Sequence, residues 1–175
     1  MKEDDDLTGI PTICRVIDAF IRRCGVVLAW LSILLIAAIL LQVVLRYGFG
    51  HGMVSLEELQ WHLFGVLIIF AYGYCITEDA HIRLDLFHRR FGLRTRELID
   101  VLGHILLLLP LLFILFFHGL DFVESSWRVG ERSDSPLGLP WRWLIKAVIP
   151  AGMVFAALAV GSRIIRSLAI LCRKT

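Results

Sequence analysis

The run Cys24–Leu45, CGVVLAWLSILLIAAILLQVVL, places 22 residues in succession without a charge. As an α-helix it measures about 33 Å, enough to cross the roughly 30 Å hydrocarbon core of a bilayer. Water is missing there, so every backbone N–H and C=O must be satisfied within the segment, which requires a helix. Three further runs share this character: 59–76, 101–120 with His104, Pro110 and His118 inside it, and 143–161 with Lys146 and Pro150 inside it. The remaining composition agrees, with 58% hydrophobic residues and a mean hydropathy of +0.76. The sequence therefore predicts an all-α membrane protein, residues 1–175 forming one domain of four transmembrane helices.

Charge placement sets an expected orientation. Thirteen of the 18 Lys and Arg residues fall in the N-terminal lead-in, the connection after the second span and the C-terminal tail. Only Arg46, Arg128, Arg132 and Arg142 fall in the other two connections, with Lys146 just inside the fourth span. By the positive-inside rule both termini and the middle connection are expected in the cytoplasm. A net charge of +2, with basic residues flanking apolar runs instead of interleaving with aromatics, gives no nucleic-acid-binding pattern. The four cysteines form no CxxC pair and fall toward the reducing side, so neither a disulfide nor a metal site is expected. The first apolar run is too long for a removable signal and lacks a small-residue cleavage site, so it is expected to be retained.

Local patterns fill in the connections. Before the first span, Ile13–Arg23 reads either as a short interfacial helix or as a lead-in that only supplies charge. Ser55 with Glu58 three residues later has the spacing of a capping box, which predicts a helix start there. Glu57 and Glu58 would then lie at the positive end of the helix dipole, with Trp61 and His62 one turn on. Residues 82–91 are expected to form an amphipathic helix lying on the membrane surface. Leu84 and Phe87 lie on its apolar side, and Arg83, Arg89 and Arg90 can face phosphates. Gly92 ends it, and Thr95 can cap the helix rising into the third span. Trp141, Trp143 and Lys146 mark a membrane interface at the start of the fourth span, whose small residues at four-residue spacing, such as Gly152 with Ala156, suit close helix packing.

Several stretches in order carry a family resemblance: Glu57-Glu58 before Trp61, Ala71-Tyr72-Gly73, residues 78–85 (EDAHIRLD) and residues 139–150 (LPWRWLIKAVIP). Together they resemble the DctQ-like small membrane subunit of tripartite ATP-independent periplasmic (TRAP) transporters. The resemblance implies a non-enzymatic, multi-pass subunit of the bacterial inner membrane without a cofactor. It would brace a large DctM-like membrane subunit for sodium-driven uptake of an organic acid delivered by a periplasmic DctP-like binding protein. Glu57, Glu58, Trp61 and His62 are the candidates for the contact with that partner.

Two other readings stand beside it. Histidines on separate helices can ligate haem, and His62 and His118 share a depth, as in a membrane-anchor cytochrome b-like subunit. Against this, Glu58 is a neighbour of His62 and no second histidine pair exists. An autonomous four-helix transporter would need internal repeats and midplane polar groups, and the first span offers only Gln42 near its end. No constellation of nucleophile, base and orienting group points to catalysis.

Overall fold

The computed structural model describes residues 11–78, 92–135 and 137–172. It consists of helices α1 (Thr12–Gly48), α2 (Val54–Thr77), α3 (Leu93–Gly103), a π-helical turn (His104–Leu108), α4 (Leu109–Arg128) and α5 (Arg142–Cys172). The π turn joins α3 and α4 into one rod, so four helices are long and apolar enough to cross a membrane. No strand occurs among the described residues. The surface helix expected over residues 82–91, with Arg83, Leu84, Phe87, Arg89 and Arg90, lies outside the described residues.

The four rods alternate in direction, which gives the bundle two ends. The loop end carries the α1–α2 and α4–α5 connections; the terminal end carries the starts of α1 and α3 and the end of α5. α5 is the central helix and touches α1, α2, α3 and α4. Its Phe155, Ala156, Ala159 and Val160 form the core with Ile21, Ile76 and Leu112. Small residues let the backbones approach, as expected of association in lipid, where apolar area alone gives little drive. Gly73 of α2 lies against Phe155 and Ala156, Gly152 of α5 against Ile69, and Gly119 of α4 against the ring of Pro150.

The π turn has a local cause. Pro110 has no N–H to donate to the carbonyl of Leu106, and its ring crowds the preceding turn. The helix widens instead, and the Leu109 N–H donates to the His104 carbonyl five residues back. The imidazole of His104 lies 2.6 Å from the Asp100 carbonyl through Nδ1, which must therefore carry the proton.

Helix ends depart from the sequence expectations. The lead-in Ile13–Arg23 is neither a separate surface helix nor an unstructured tail, because α1 runs unbroken for 37 residues from Thr12. Nothing between Pro11 and Gly48 breaks a helix: there is no internal proline, and the arginines are good helix formers spaced along the turns. The capping box is also absent. α2 begins at Val54 with Met53 in the cap position and no side-chain cap. Its Ser55 and Glu58 side chains are engaged by the α4–α5 loop, so long-range partners outcompete the local cap. α3 likewise starts at Leu93, ahead of Thr95, with Gly92 as its uncapped N-cap.

Candidate functional site

At the loop end, the start of α2 holds the loop that joins α4 to α5. Glu58 Oε1 accepts from the Ser133 hydroxyl, and Oε2 accepts from the Leu139 N–H at 2.6 Å. Ser55 donates its hydroxyl proton to the Leu137 carbonyl. On the other side of the loop Glu131 accepts from the Lys146 ammonium, which also lies 3.8 Å from the centre of the Phe122 ring. Arg142 stands 3.8 Å from Glu131 and 3.7 Å from Asp134. Trp127 and Trp143 meet edge to face with ring centres 4.6 Å apart. Trp141, at φ 63°, holds the left-handed conformation that non-glycine residues rarely adopt, and it is exposed beside Pro140. The loop is thus pinned at both flanks, and Lys146 is held by a carboxylate in addition to its expected reach toward the interface.

Glu131 supplies a pH-dependent part of this fastening. Its carboxyl is held below the ordinary 4.5, first by the hydrogen bond from Lys146. A depressed folded-state value means that the stabilisation is complete above pH 4.5 and is lost as the pH falls through the lowered value. A spin label at position 137 should therefore remain restrained from pH 8 down to about pH 5 and loosen below 4.5. In a Glu131→Gln variant the label should be less restrained than in the parent above pH 4.5, the Ser55 and Glu58 contacts keeping the rest; equal restraint at every pH in both proteins would remove the role assigned to this carboxylate.

The residues expected to act together separate into three environments. Glu57, Trp61, Phe64 and Ile68 follow one another at intervals of four, three and four, which aligns them on one face of α2. That face is exposed, Trp61 at 69%. Trp61 meets Phe64 edge to face at 6.3 Å, and Leu35 and Ile39 of α1 with Gln60, Trp61 and Phe64 line a shallow groove of about 260 Å³ beside it. Glu58 instead turns to the loop. His62 turns to a second groove of about 370 Å³ between α2 and α5, lined by Leu63, Val66, Pro140, Trp141 and Ile145 among others. His118 stands on an outward face of α4 with its side chain 79% exposed, 4.0 Å from Asp121. A two-histidine haem site has no support from these placements.

The sequence reading missed a group of charges at the terminal end. Asp18 of α1 is buried against α5, where it accepts from the Ser162 hydroxyl at 2.7 Å and pairs with Arg166. On the opposite flank of α5, Arg163 lies 3.9 Å from Glu97 and 3.7 Å from Asp100 of α3. Arg22 pairs with Glu78 at 2.7 Å, joining α1 to the end of α2. The available signal was the i, i+3 spacing of Glu97 with Asp100 and of Arg163 with Arg166. Counted only as topological charge, the two arginines gave no hint of partners.

Comparison with curated proteins finds no match. Comparison with protein families matches residues 35–170 to the DctQ component of tripartite ATP-independent periplasmic transporters. That stretch takes in α2, α3, α4, the part of α1 from Leu35 onward and nearly all of α5, and so the loop-end fastening, the exposed α2 stripe and the α3–α5 ion pairs. A four-helix membrane protein that matches the family over most of its length belongs to it: the chain is a DctQ-family small membrane subunit of a TRAP transporter.

Proposed function

We propose that this subunit braces a large DctM-like membrane subunit in the bacterial inner membrane, with both termini and the terminal end of the bundle in the cytoplasm. The assembly takes up an organic acid, driven by sodium and delivered by a periplasmic DctP-like binding protein. The observation that carries the bracing role is the stripe Glu57, Trp61, Phe64 and Ile68. While another face of α2 is occupied by α5, this one presents a carboxylate and two aromatic rings outward at the membrane edge. A carboxylate in the first turns of a helix is partly stabilised by the helix dipole, so bringing it against a partner's cation or amides costs less than for an isolated charge. Trp61 and Phe64 add rigid surface, and the groove beside them can seat a partner side chain. Glu58 contributes from behind by holding the loop in place, and the orientation follows the distribution of Lys and Arg.

The test is copurification with a coexpressed DctM-like large subunit. Replacing Trp61 and Phe64 together by Ala should weaken recovery of the complex by about tenfold or more, roughly 1.4 kcal/mol. Glu57→Gln should have a smaller effect, and Leu107→Val, on an exposed apolar face, none. If the double Ala variant copurifies and supports sodium-driven uptake like the parent, the stripe faces lipid and the contact lies elsewhere.

A further inference from the structure

The terminal end of the bundle is built with its polar groups inside and its apolar groups outside. On α3, Glu97 and Asp100 are buried toward α5, and Leu98, Ile99 and Leu102 on the other side are exposed. The last three turns of α5 repeat the pattern: Ser162 and Ser167 are buried and Arg163 and Arg166 largely covered, while Ile165 and Leu168 are exposed. The start of α1 does so again, with Asp18 buried and Ile13, Val16 and Phe20 exposed. A helical collar standing in water has the reverse arrangement, because exposed apolar area is unfavourable and charges keep their hydration. Three helices inverted in the same way at the same end indicate apolar surroundings, not an isolated surface patch. Of the remaining cations here, Arg15, Arg22, Arg23 and Arg94 are exposed: Arg15 and Arg94 stand at the outermost turns, where lipid phosphates could meet them, and Arg22 and Arg23, about two turns deeper than Val16, would reach back along their aliphatic stems.

We propose that this collar is embedded in the membrane. Lipid acyl chains cover Val16, Leu98, Leu168 and their neighbours, and the two sets of ion pairs form its polar core. The ends of the apolar runs at Cys24, Val101 and Gly161 then lie inside the lipid layer, not at its edge. Assigning the collar to the inner leaflet rests on the orientation proposed above; the embedding does not, because it follows from which faces are apolar.

The experiment uses the full chain alone in vesicles of phosphatidylethanolamine and phosphatidylglycerol. With the native cysteines replaced, a spin label is attached in turn at positions 16, 98 and 168, with position 40 as a mid-membrane reference and position 137 as a loop reference. These sites are exposed, so labelling them does not disturb packing, and unchanged elution of each protein in detergent verifies that it is folded. Labels at 16, 98 and 168 should be several-fold more accessible to oxygen than to a water-soluble nickel chelate, like position 40. Access to the chelate like that at position 137 would place the collar in water and overturn the proposal. Protection from both probes would show protein, not lipid, covering these faces and would overturn it equally. Because no partner subunit is present, failure here is distinct from failure of the bracing role.

Discussion

Gly73→Leu should disrupt the crossing of α2 and α5 and strongly destabilise the bundle. A Cβ at position 73 would stand 2.6 Å from Cδ1 and 3.0 Å from Cε1 of Phe155, and 3.3 Å from the Cα of Ala156. The Phe155 ring has nowhere to retreat. It is buried, and the rings of Phe20 and Phe70 lie edge-on to it at 6.1 and 5.3 Å between centres. Overpacking a closed core costs about 1–3 kcal/mol and occasionally more, and a leucine that meets both a wedged ring and backbone belongs at the top of that range. Gly65→Leu is the matched control on the same helix: a Cβ there meets nothing within 4 Å, and leucine is the better helix former by several tenths of a kcal/mol. Thermal unfolding of the two variants in detergent checks this. If they melt alike, the close approach of α2 to α5 does not hold the bundle together. Copurification should follow stability, since α2 carries the exposed stripe.

How much of this could be read in advance differs by length scale. The four rods were legible because an uncharged run of about 20 residues has one structural solution in lipid. The residues of the α2 stripe were partly legible: Glu57 and Trp61 stood out, whereas Phe64 and Ile68 looked like any apolar residue until α1 and α5 showed which face was left uncovered. Ser55 and Glu58 were misread for a definite reason. Their spacing satisfies a local cap, yet their actual partners lie 75 to 82 residues downstream in the α4–α5 loop, beyond the reach of any local pattern. The beginning of α1 was misread because arginines before an apolar run look like a membrane boundary, although nothing in Ile13–Arg23 stops a helix. At the terminal end, Glu97 with Asp100 and Leu98 with Leu102 define opposite faces of α3. That pattern suits a helix lying on a membrane as well as one turned polar side inward, and only the position of α5 decides between them.

Asp18→Ala should destabilise the bundle by about 3 kcal/mol, at the lower end of the cost of removing one partner from a buried ion pair. The Asp18 side chain is only 9% accessible, so its removal leaves Arg166 and the Ser162 hydroxyl facing a void without their acceptor. Arg166 is 26% accessible and can recover some hydration, which keeps the effect from the upper end of the range. Arg166→Ala should be at least as costly, because it strands a carboxylate that is more deeply buried than its partner. Replacing both, Asp18→Leu with Arg166→Met, should return stability to near the parent value, since an apolar pair of similar volume requires no desolvation of charge. The reversed pair, Asp18→Arg with Arg166→Asp, should recover only part of the loss, because the Ser162 hydroxyl is placed to donate to a carboxylate on α1. Unfolding of Asp18→Ala, Arg166→Ala and the variant carrying both alanines, each against the parent, gives the coupling between the two positions. A coupling near zero would mean that α1 is held to α5 by Cys14 and Ile21, which flank Asp18 and are fully buried, and that the charges merely accompany that contact.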